Sequence, residues 1–138
     1  MTSTPEPAAW LALVQEEVED PDLPIVDPHH HLWDYRGRPG FQPRYLLDEL
    51  LADTGSGHRV ERTVFVECDW AYRTDGPEEL RPVGETEFVA GVAAASAERG
   101  GARIAAIVGS CDLRIGDRLG DVLDAHAEAG QGLFRGIR

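Results

Sequence analysis

Four short apolar runs, each followed by a segment with helical spacing or by the chain end, constrain this chain more than anything else in it. The runs are LPIVD at 23–27, RTVFVE at 62–67, RIAAIVG at 103–109 and LFRGI at 133–137. Between them lie RYLLDELLAD at 44–53, GETEFVAGVAAASAER at 84–99, and 118–129, where Leu119, Val122, Leu123 and His126 share one face. Gly100 and Gly101 stop the second of these helices. The expected order is β-α-β-α-β-α-β. Strands alternating with helices imply a parallel sheet joined by helical crossovers, and apolar strands rich in Val and Ile suit burial within it.

Strand starts near 23, 62, 103 and 133 repeat every roughly 30 to 40 residues, the unit of a (β/α)8 barrel. The expected fold class is therefore α/β: the first half, about four βα units, of a TIM barrel with a helix in front. A doubly wound four-stranded sheet is the alternative. Its phosphate-binding signatures, G-x-G-x-x-G and G-x-x-x-x-G-K-[ST], are absent, and the loop after the first strand reads HHHLWDYRGRPG. Residues 1–22 form the expected N-terminal helical extension, and 23–138 the partial barrel. Within the extension, Trp10, Leu11, Val14 and Val18 carry a helical stripe over 8–19, with Pro5 and Pro7 before it and Pro21 and Pro24 after it.

Charge narrows the partners. Thirteen basic residues face 25 acidic ones, a net charge of −12, which disfavours nucleic acid and anionic membrane surfaces. No apolar run approaches the roughly 20 residues that span a bilayer, and the acidic N-terminus lacks the basic start of a signal peptide. Two cysteines, Cys68 and Cys111, make no disulfide framework. These features point to a cytoplasmic protein acting on a small molecule.

The chemistry concentrates in Asp27-Pro28-His29-His30-His31. Side chains alternate along a strand, so His29 and His31 point one way and His30 the other. Two imidazoles so placed at a strand's C-terminal end can bind one metal ion together, at the face where barrels hold their sites. Catalytic zinc normally takes three protein ligands and water, so this pair alone is incomplete. Further candidates lie past other strand ends. Glu67 ends the second strand, and Asp69, Trp70, Tyr72 and Arg73 follow it; Trp33 and Tyr35 follow the first. Arg73 suits a substrate carboxylate and Trp33 or Trp70 an apolar wall, although ordinary packing and ion pairing account for such residues too. For Tyr35 packing is favoured. His58 and His126 each read as a surface or core imidazole satisfied by a backbone carbonyl, Asp112 as the cap of a turn, and Cys68 as a small apolar filler.

IVDPHHHLWD resembles the first strand of the amidohydrolase superfamily, in particular its amidohydrolase-related branch of lactonases and decarboxylases. TVFVECDW resembles that branch's second strand, VGETEFVAGVA its second helix, IAAIVGSCDLR its third strand and GLFRGIR its fourth, over roughly 24–138 and in the family's order. The resemblance implies that His29 and His31 bind a divalent metal, usually zinc. The metal would activate water against a carboxylated lactone or similar cyclic ester. It also implies later histidines and a catalytic aspartate, which have no counterpart before Arg138. Some members of the branch hydrolyse lactones without metal.

Two alternatives stand beside hydrolysis. One is decarboxylation on the same scaffold. The other is a truncated, non-catalytic remnant that persists as an oligomer, because a half-barrel leaves the edges of its first and fourth strands to be covered. A homo-oligomer pairing two copies would set two H-x-H pairs at one mouth.

Overall fold

The computed structural model describes residues 9, 10, 12–14, 16–37 and 43–138. Its strands and helices are β1 Ile25–His30, β2 Trp33–Asp34, β3 Arg44–Tyr45, α1 Leu47–Thr54, β4 Val60–Val66, α2 Val83–Arg99, β5 Arg103–Gly109, α3 Leu119–Ala129 and β6 Phe134–Ile137. Strands β1, β4, β5 and β6 form one parallel sheet in that order, the order of the chain, while β2 and β3 make a separate antiparallel pair. Parallel neighbours need a long crossover, and each of the three helices fills one.

Local chemistry explains the boundaries. Gly100 and Gly101 follow α2 with φ of 75° and 92°, the left-handed region that glycine enters without a Cβ penalty. At the start of α1 the Glu49 carboxylate accepts the Leu46 backbone N–H at 2.9 Å, satisfying a donor that the helix leaves unpaired. Asp112 accepts the Arg114 N–H at 2.9 Å and so caps the turn after β5, as its position in the sequence implies.

Register builds the core. His30 pairs with Phe65, Phe65 with Ile107, and Ile107 with Phe134, so these four side chains form one row across one face of the sheet. Phe65 and Ile107 are fully buried with Leu50 of α1 and Val89, Ala90 and Ala93 of α2. Phe134 stacks on His126 of α3, with ring centroids 5.1 Å apart. All three helices therefore contact this one face. On the other face Val64 and Ala106 pair in register and are half-buried, and Val26 of β1 is 58% exposed. The expectation of strands buried on both faces thus fails for β1, which lies at the sheet's edge. Among the described residues, no helix is long and apolar enough to cross a membrane.

Of the expected N-terminal helix over 8–19, only Ala9 and Trp10 are helical among the described residues. Residues 12 and 13 form a turn, and 16–20 carry no helix; residues 8, 11 and 15 lie outside the described set. Trp10 and Val14 are exposed rather than buried. A short helix is marginal unless its apolar face is covered, and Glu16, Glu17, Glu19 and Asp20 would set negative charge at its negative C-terminal end. The helix expected over 44–53 starts later, at Leu47, because Arg44 and Tyr45 pair with Asp34 and Trp33. Tyr45 also stacks on Trp33, with centroids 5.3 Å apart.

Of the two histidines read as surface or core imidazoles, His126 is the one in the core. Its Nε2 lies 3.1 Å from the Ser110 carbonyl, which only accepts, so Nε2 carries the proton and Nδ1 accepts from the Thr86 hydroxyl at 2.8 Å. Burial pushes the pKa of His126 below its ordinary value. The unfolded chain therefore takes up a proton that the folded chain refuses, and stability present above the unfolded value is lost as pH falls. His126→Leu is expected to give a shallower fall in stability as pH drops below the ordinary imidazole value of 6.5, read from urea midpoints at each pH. Phe65→Ala, which empties the centre of the buried row, is expected to cost about 3–5 kcal/mol in the same denaturation experiment.

Candidate functional site

The site begins with a bend at Pro28. The Asp27 carboxylate accepts the His29 backbone N–H at 3.0 Å, and the ladder between β1 and β4 slips between Asp27 and His30. Past the bend, His30 turns inward. It is 7% exposed and meets the Phe65 ring edge-on at 5.8 Å. Burial drives its pKa down to about 4, so the ring is neutral near neutral pH. Inward placement of His30 puts His29 and His31 together on the other side, as strand alternation predicts.

The two outer imidazoles converge. Nε2 of His29 lies 3.2 Å from Nε2 of His31, with ring centroids 4.8 Å apart and planes at 80°. The second nitrogen of His31, Nδ1, is 2.7 Å from the Val66 backbone carbonyl at the end of β4. A carbonyl only accepts, so His31 carries its proton on Nδ1 and presents the lone pair of Nε2. The backbone thereby fixes both tautomer and ring orientation, as outer partners do for metal-ligating histidines. Two nitrogens at about 2.0–2.1 Å from a tetrahedral zinc are about 3.3 Å apart, so the observed separation fits a shared cation. Without a cation the same distance is a hydrogen bond donated by His29. Among the described residues no group of three or more His, Cys, Asp or Glu side chains can hold a metal, so the pair is the whole of the ligand set seen in one chain.

The other candidates divide. Glu67 sits beside the sheet's C-terminal end, where Arg138 Nε donates to its carboxylate at 2.9 Å. Trp33 stacks on Tyr45, as described above. Tyr35 donates its hydroxyl to the Cys68 carbonyl at 2.9 Å and meets Trp70 edge-on at 5.2 Å, so the loops after β1 and β4 are joined next to the His31–Val66 contact. Arg73 forms an ion pair with Glu87 of α2, and its guanidinium is already engaged by a carboxylate of this chain. The Cys68 thiol donates to the Leu32 carbonyl at 3.2 Å, and burial raises its pKa to about 12; it is a packed thiol, not a nucleophile. His58 is exposed on the surface. An apolar groove of about 490 Å³ lies between α1 and α2, lined by Leu46, Leu47, Phe88 and Val92, with none of its residues in the four-stranded sheet.

Sequence reasoning missed Glu85. It sits in the first turn of α2, where an acidic residue reads as ordinary complementation of the helix dipole. In the fold it is 2% exposed, and its Oε1 accepts the backbone N–H groups of Cys68 at 3.1 Å and Trp70 at 2.9 Å. Those bonds hold a loop in which Asp69 and Ala71 take φ of 63° and 60°, a region that disfavours side chains. Gly84 lets that loop approach the helix, because a Cβ there would lie 2.7 Å from the Ala71 carbonyl oxygen and 2.6 Å from the Arg73 nitrogen. Burial raises the Glu85 pKa, and Oε2 has no partner. No sequence pattern marks such a role; the neighbouring glycine is the one local cue.

An uncharacterized protein of Sinorhizobium fredii, y4mH, is 32% identical over 134 residues, covering 85% of this chain and 40% of the relative. The chain thus spans less than half the length of that relative. No protein-family model matches the chain, and no solved structure matches it.

Glu85→Ala is expected to free the Cys68 and Trp70 amides, costing about 1–3 kcal/mol and speeding their hydrogen exchange. Glu85→Gln, which keeps an accepting oxygen, is expected to leave their exchange near the wild-type rate. Equal acceleration in both variants would mean that the carboxylate's negative charge, not its geometry, holds the loop.

Proposed function

We propose that this chain is the N-terminal half of an amidohydrolase-type (β/α)8 barrel, with His29 and His31 as ligands of a divalent metal, zinc in the first instance. The proposed activity class is hydrolysis of a carboxylated lactone or similar cyclic ester. One observation carries the reading: two Nε2 atoms 3.2 Å apart at the end of the first strand, one of them aimed by the Val66 carbonyl. The fold supports it. A doubly wound sheet reverses strand order at a switch point and carries helices on both faces, whereas here strand order follows the chain and three helices share one face.

The residues have separable roles in this reading. Val66 orients His31, and Asp27 sets the bend that presents His29. A divalent cation held by the two imidazoles would supply Lewis-acid polarisation of a carbonyl and a lower pKa for water. Trp70, fixed by Glu85 and Tyr35, offers an apolar wall beside the first-strand loop, and Trp33 offers a second. Arg73 can hold a substrate carboxylate only by releasing Glu87, which weakens its candidacy.

Calorimetric titration with zinc chloride tests the site directly. The expected result is saturable binding that His29→Ala or His31→Ala abolishes, while Phe134→Leu, away from the pair, leaves it intact. Zinc-dependent opening of small carboxylated lactones, followed by acid release, tests the reaction class. Failure to bind zinc removes the metal site; binding without turnover on any lactone removes the hydrolase assignment for this chain.

A further inference from the structure

We draw no further inference here: the strongest candidate, the apolar groove between α1 and α2 that Arg44 and Arg99 also line, carries nothing because Asp48 already engages both guanidinium groups and nothing in the structure shows what covers the groove.

Discussion

The burial of His30 against Phe65 sets the geometry on which the rest of the site depends. A strand has a two-residue period, so a residue drawn into the core commits its neighbours to the opposite side. Phe65 is fully buried in the row that runs from His30 to Phe134, and the three helices close over that row. A one-residue slip of β1 would bury His29 or His31 and expose His30. The core therefore decides which two of three consecutive histidines converge outside it. Burial of a charged imidazole is costly, and burial lowers the pKa of His30 so that the ring stays neutral.

Backbone groups do most of the fine positioning. The Val66 carbonyl fixes the tautomer of His31, and the Asp27 carboxylate caps the bend before His29. On the neighbouring loop the roles are exchanged, and a buried side chain, Glu85, organises backbone N–H groups. Both devices act where β1 and β4 end, so the strained loop and the histidine pair share one scaffold. This arrangement fits a site that needs rigid first contacts, and it accounts for a buried acid that the core would otherwise exclude.

How far the sequence reveals this fold varies by element, for physical reasons. β5 is read with its observed bounds, Arg103–Gly109, because its apolar run is bounded by glycines and followed by a polar turn. α2 is read to within one residue because Gly100 and Gly101 stop it sharply. The β2–β3 pair escapes notice, since two residues per strand are too few to show any period. The N-terminal stripe misleads, because periodicity signals a helix only where some surface covers its apolar face, and Trp10 and Val14 find none. For the site, alternation alone separates His29 and His31 from His30. Their 3.2 Å approach, the grip of Val66 and the role of Glu85 depend on contacts 35 and 17 residues apart in sequence, which no local pattern encodes.

The proposed metal site stands or falls on whether His29 and His31 act together as one ligand pair. X-ray absorption at the zinc edge of the loaded protein addresses it most directly. Imidazole nitrogens are expected at about 2.0–2.1 Å, with the multiple-scattering pattern of histidine rings, and that pattern is expected to be lost in His31→Ala. A shell of oxygen ligands alone, unchanged by that substitution, would contradict it.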